Sequence, residues 1–228
     1  MKNPIYINII INENNYTKNN KKIFKIIGDY MRFCISILII SLLFNVPAFN
    51  QENSRLEIIK WANHYMNKKY KYNQSDTITN PFTKEKKKVN FDCSGFVAAV
   101  YWTAIENPSI KLQGSTENIY YILSKKNKIY KNVMPNKGDI IFFDGTTNPN
   151  KKLTHSGIII NVDEDETITY IHSSTSKGPI LGYMNLKYPD LARKDGKQIN
   201  SYLRRGDAPY SLASHCFNSY GTVLEKPN

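Results

Sequence analysis

The chain has 228 residues, with 31 basic and 19 acidic side chains and a net charge of +12. Its hydrophobic content of 41% and charged content of 22% exclude a disordered chain, and its length allows one domain with a real core and a short appendage. The basic excess suits an anionic partner such as phospholipid or wall polymer, but no aromatic-basic motif accompanies it, so nucleic acid is not expected as a partner.

Residues 1–30 are polar and rich in Asn and Lys, without an amphipathic period. Met31-Arg32 then opens the apolar run Phe33–Phe44, which is short for a membrane span of about 20 residues. Val46-Pro47-Ala48 follows with small residues suited to a cut after Ala48. A positive flank, an apolar middle and a small-residue end make the pattern of a secretory signal, with Met31 as a second candidate start. An uncleaved anchor is the competing reading. Export is the expectation, to a periplasm, a cell envelope or the medium, with no stable membrane span after cleavage. Residues 1–48 carry six of the basic and two of the acidic residues, so the remainder keeps a net charge of +8. Cys34 falls within the leader, leaving Cys93 and Cys216, which read as two free thiols, a bridge between them being the alternative.

Ser54-Arg55-Leu56-Glu57 has the form of a capping box. It predicts a helix to about Asn67 with Leu56, Ile59, Ala62 and Met66 buried. Residues 73–90, rich in Asn, Ser, Thr, Lys and Pro, read as a polar loop with a solvated cluster at Lys84, Lys86, Lys87 and Lys88. Asp92 then caps a helix whose apolar positions are Phe96, Val97, Val100, Tyr101 and Ala104. A further helix is predicted over Thr116–Lys126, facing inward with Ile119, Tyr120, Ile122 and Leu123. After the turn Pro135–Asp139 come Ile140–Phe143 and His155–Ile160 as short buried strands. An acidic turn at 163–166 leads to Thr167–His172, paired with its predecessor as a hairpin, and later strand candidates are Ile180–Met184 and Ile199–Arg204. Helices first and antiparallel strands after them predict an α+β domain.

Chemistry concentrates at Cys93, in the first turn of its helix, where unpaired N–H groups and the helix dipole favour an anion and a thiolate. Ser94 and Gly95 are poor helix formers, and their small size is read as leaving room for a substrate at the sulfur. Taken alone, Cys93 reads equally well as a small buried hydrophobe. His155 opens one strand and His172 closes its antiparallel neighbour, so both fall at the same edge of a sheet and can face that helix end. A nucleophilic thiol needs a base, and the base needs a partner that fixes its tautomer. Each histidine alone reads as a surface residue at a strand end. No metal-ligand spacing such as Cys-x-x-Cys is present, so no metal and no cofactor are expected.

Three motifs in order, Asp92-Cys93-Ser94-Gly95-Phe96-Val97, Gly138-Asp139-Ile140-Ile141-Phe142-Phe143 and His155-Ser156-Gly157-Ile158-Ile159, resemble the NlpC family of cell-wall cysteine peptidases over about residues 54–204. The resemblance implies a papain-like fold, with N-terminal helices packed on a C-terminal antiparallel sheet. With the leader read above, the chain divides into an extension with signal peptide at 1–48 and, on the resemblance, a peptidase domain at 49–228. The resemblance implies a Cys93 nucleophile, His155 as general base and then acid, and His172 as the residue that orients it. Family enzymes cut peptidoglycan stem peptides after D-glutamate, commonly before diaminopimelate, so such peptides are the expected partners of a monomeric enzyme. The substrate's amino end would be held by Asp92, Ser94 and Tyr70, and the oxyanion by the Cys93 N–H with a neighbouring donor. An N-acetylmuramoyl-L-alanine amidase, another thiol acyl-transfer enzyme and a non-catalytic wall-binding module stand as alternatives on the same scaffold. The chain departs from the family in having Tyr70-Lys71-Tyr72-Asn73-Gln74 in place of Tyr-x-Trp-Gly-Gly. It also has an insertion before Asp92 and a tail beyond Arg205, whose Tyr210, His215 and Cys216 receive no role.

Overall fold

The computed structural model describes residues 30–33, 51–204 and 211–227. Of the unit Met1–Asn50 only the exposed helical turn at 30–33 is described, so the expected leader and its cleavage point lie outside the described residues. Among the described residues no helix is long and apolar enough to cross a membrane.

In the unit Gln51–Asn228 the first helix, α1, already covers residues 51–53 and runs to 67, so Ser54 lies within it and does not cap it. Its buried stripe is Arg55, Ile58, Ala62 and Tyr65, and the expected Leu56 is exposed. Apolar periodicity misplaces this face because the stripe contains a charged residue. Arg55 is accommodated by a 2.8 Å ion pair with the fully buried Asp139 and by donating to the carbonyls of Lys137 and Glu225. Asp139 also accepts from the Tyr130 hydroxyl and the Asn136 N–H. Each buried charge is therefore matched by hydrogen bonds.

The predicted loop at 73–90 is a hairpin of β1 (Ser75–Thr79) and β2 (Lys86–Asn90), in register from Ser75 opposite Asn90 to Thr79 opposite Lys86. Each strand buries a single hydrophobe, Ile78 or Val89, too sparse a signal to show an alternating pattern. α2 (Cys93–Ala104) has the predicted cap and buried face. α3 (Thr116–Ser124) is capped by Ser115, with Ile119 and Leu123 fully buried and Tyr120 and Ile122 packed beside them.

The remaining strands are β3 (Ile129–Tyr130), β4 (Ile140–Phe143), β5 (His155–Val162), β6 (Ile168–Ser174), β7 (Gly178–Met184), the small ribbon β8 (Arg193–Lys194) with β9 (Lys197–Gln198), and β10 (Phe217–Gly221), preceded by the single turn α4 (Ala213–Cys216). The main sheet is antiparallel with order β3-β10-β4-β5-β6-β7. The tail is therefore not an appendage, because β10 lies between β3 and β4. Ile199–Arg204 forms no strand and contributes one bridge, Tyr202 to Leu212. The fold is α+β, with N-terminal helices on a C-terminal antiparallel sheet.

Both faces of this sheet are covered. On one, Phe142, Ile158 and Ile171 pack with Ile58, Phe96, Val97 and Val100 of α1 and α2. On the other, Ile141, Phe143, Ile159, Tyr170 and Met184 pack with Ala213, Cys216 and Tyr220 of the tail. Double coverage explains why β4 and β5 read as unbroken apolar runs instead of alternating ones.

Candidate active site

The site begins with the cap of α2. One carboxylate oxygen of Asp92, Oδ1, accepts from the Gly95 N–H at 2.6 Å and from the Ser94 hydroxyl at 2.9 Å. The other makes no hydrogen bond among the described residues. Gly95 is small for a reason unconnected with substrate access: a Cβ there would lie 1.8 Å from the Asn90 carbonyl oxygen. The backbone leaving β2 crosses that spot, and only glycine lets it pass. Ser94 is likewise buried, tied back to the cap.

Cys93 follows at 8% exposure. Its Sγ lies 3.5 Å from Thr116 Oγ1 at the start of α3, which is 3.4 Å from the Ser156 hydroxyl of β5. The backbone N–H groups of Ser156 and Ser94 pull the thiol pKa down. The thiol pKa is nevertheless pushed up, first by burial and then by the Asp92 charge, with the Thr116 hydroxyl pulling against them. This corrects the expectation of a thiolate stabilised by the helix end. Desolvation of the sulfur outweighs the helix end, and the anionic cap beside it acts in the same direction as burial. Cys93 and Cys216 are thiols, with no disulfide joining them.

β5 and β6 bring the imidazoles together. Pairing of Ile158 with Ile171 sets His172 diagonal to His155 on one face of the sheet. His155 Nε2 lies 2.7 Å from His172 Nδ1, with the rings edge to face at 4.9 Å. Gly157 between them has no room for a side chain: a Cβ would stand 2.8 Å from the Ile171 carbonyl and 3.2 Å from His172 Cβ. Phe143 and Tyr170 flank the pair. Burial lowers His155 to about 4 against the pull of Asp92. Burial and the neighbouring ring push His172 well down. Both rings are neutral at neutral pH, so one of the facing nitrogens must donate and the other accept. If His155 donates from Nε2, its Nδ1 carries a lone pair and can take a proton. The tautomer of one ring thereby sets that of the other.

The two halves meet at Asp92, whose charge acts on both Cys93 and His155, and at Ser156, which follows His155 and is linked to the sulfur through the Thr116 hydroxyl. Tyr70 is not brought in. It is buried, stacked on Phe91 at 3.9 Å, and its hydroxyl donates to Asp76 at 2.5 Å. Tyr72 stands nearer the chemistry, its pKa raised by burial and by the charges of Cys93 and Asp92. Sequence reasoning missed Tyr72, Thr116 and Ser156. Ser156 had a signal, as the one hydroxyl in an apolar strand; Thr116 had none. A cavity of about 410 Å³ between Asn80, Lys87, Trp102 and the 106–113 segment includes none of these residues. Among the described residues no three His, Cys, Asp or Glu side chains gather as metal ligands do.

No curated protein matches the chain. A solved structure from Staphylococcus aureus subsp. aureus Mu50, described as similar to a lipoprotein of the NLP/P60 family, aligns with a TM-score of 0.39 and 20% identity over 75% of this chain and 42% of that one. The chain thus spans less than half the length of that protein. The NlpC/P60 profile matches residues 67–192, more than half of the 228, and this span takes in α2, β5 and β6 with every cysteine and histidine of the site. By that match the chain belongs to the NlpC/P60 family, whose function is of the cell-wall peptidase type.

Proposed function

We propose that this protein is an exported cysteine peptidase that hydrolyses peptidoglycan stem peptides, at the bond following D-glutamate. The observation that carries the reading is the 2.7 Å hydrogen bond between His155 and His172, with Ser156, the residue after His155, linked to the Cys93 sulfur through Thr116. His155 Nδ1 takes the proton of the Cys93 thiol as the sulfur attacks the scissile carbonyl. The raised thiol and lowered imidazole favour this coupled transfer over a standing thiolate–imidazolium pair. The Cys93 N–H and a neighbouring donor receive the oxyanion. His155, held by His172, then protonates the leaving amine, and water releases the acyl group from sulfur by the reverse sequence.

The uncommitted oxygen of Asp92 is suited to a substrate ammonium, with Ser94 and Tyr72 beside it. Tyr70 has no part in this reading, its hydroxyl being engaged with Asp76. The basic surface would favour residence on an anionic wall. Digestion of purified muropeptides followed by mass spectrometry tests the proposal. Stems cut after D-glutamate are expected, and release of whole stems from the glycan would mark an amidase instead.

A further inference from the structure

Two buried hydroxyls, those of Thr116 and Ser156, lead to the sulfur, and neither hydrogen-bonds outside that line among the described residues. Thr116 is the first residue of α3, but the helix is capped by Ser115, which accepts from the Asn118 N–H. Thr116 is 4% exposed and Ser156 0% exposed. Burying a hydroxyl among apolar neighbours is unfavourable unless it is hydrogen-bonded, and valine would fill the Thr116 site without that penalty. Oγ1 of Thr116 lies within reach of two groups, Cys93 Sγ at 3.5 Å and Ser156 Oγ at 3.4 Å. The three residues come from α2, α3 and β5, so each of these elements contributes one polar atom to a single line ending on the sulfur.

We propose that Thr116 is a positioning residue for Cys93, donating its hydroxyl hydrogen to Sγ while accepting that of Ser156. This rests on reading Cys93 as the nucleophile. When the thiol proton passes to His155, the sulfur gains a full negative charge. The Thr116 O–H, already oriented by Ser156, then becomes a charge-assisted hydrogen bond. No proton leaves either hydroxyl; the relay aims the sulfur lone pairs and stabilises the anion. Among the influences on the Cys93 thiol, the Thr116 hydroxyl is the foremost that opposes burial.

The test uses the full chain with Cys34→Ser and Cys216→Ser, so that Cys93 is the only thiol, and follows the rate of iodoacetamide alkylation against pH. Thr116→Val is expected to move the profile about one pH unit upward, an approximately tenfold slower reaction at neutral pH. Thr116→Ser should restore the rate to within about twofold, and Ser156→Ala should shift it in the same direction by less. With muropeptide substrate, Thr116→Val should lower kcat and leave KM unchanged. A Thr116→Val profile that superimposes on the parent would overturn the proposal. So would a Thr116→Ser variant as slow as the valine, since packing of the methyl group would then explain the effect. Alkylation needs no substrate, so a chain that shows the Thr116 shift but cuts no muropeptide would refute the peptidase reading and leave the relay standing.

Discussion

Two histidines held neutral beside each other make stability depend on pH in a defined direction. In the unfolded chain His155 takes a proton near 6.5; in the fold it resists protonation until about 4. Between these values the unfolded state binds more protons, so stability rises with pH across the window and is lost as the pH falls through it. Below about 4 both states are protonated and this contribution levels off. At about 1.4 kcal/mol per pH unit, His155 alone accounts for about 3 kcal/mol. His172 is displaced in the same direction and adds to it. Urea unfolding followed by the fluorescence of Trp61 and Trp102, at several pH values from neutral to 4.5, measures the effect. The parent should lose at least about 2 kcal/mol more on acidification to pH 4.5 than a His155→Gln/His172→Gln double variant, the His155 share alone supplying that much. If both lose stability in parallel, the imidazoles are not desolvated as described.

The same depressed His155 should place the acid limb of the kcat/KM profile near 4, because that profile reports the free enzyme's base; an acid limb at 6.5 would mean a solvated ring. Away from the site, Asp139→Asn leaves Arg55 buried without its counter-charge and is expected to destabilise the fold by about 3–5 kcal/mol in urea unfolding, with a loss under 1 kcal/mol counting against the clasp.

Where one residue type dominated a short stretch, the chemistry was legible from the residues alone. Asp92 before a helical apolar pattern located the cap of α2, and the unbroken runs at Ile140–Phe143 and Ile158–Ile160 located two doubly buried strands. The pairing of β5 with β6 followed from the acidic turn between them, and with it the meeting of His155 and His172. What escaped depended on contacts between distant segments. The buried face of α1 is set by Asp139, 84 residues away from Arg55, and periodicity cannot register a charge that is solvated by the protein itself. β10, Phe217–Gly221, carries too few hydrophobes to read as a strand and takes its place by pairing with β3 and β4 and by burial of Tyr220. The direction of the Cys93 shift escapes a reading of the helix end alone, because burial of the sulfur raises its pKa most and the charge of the Asp92 cap adds to it. Gly95 was read for substrate access when the Asn90 backbone was the neighbour that required it.

In the proposed mechanism Cys93 performs the chemistry with His155 as its base. The most direct measurement is a muropeptide digest by the parent chain beside Cys93→Ala and Cys216→Ala, with products identified by mass. Stems cut after D-glutamate by the parent and by Cys216→Ala, and none by Cys93→Ala, is the result expected. Equal products from Cys93→Ala and the parent would contradict it.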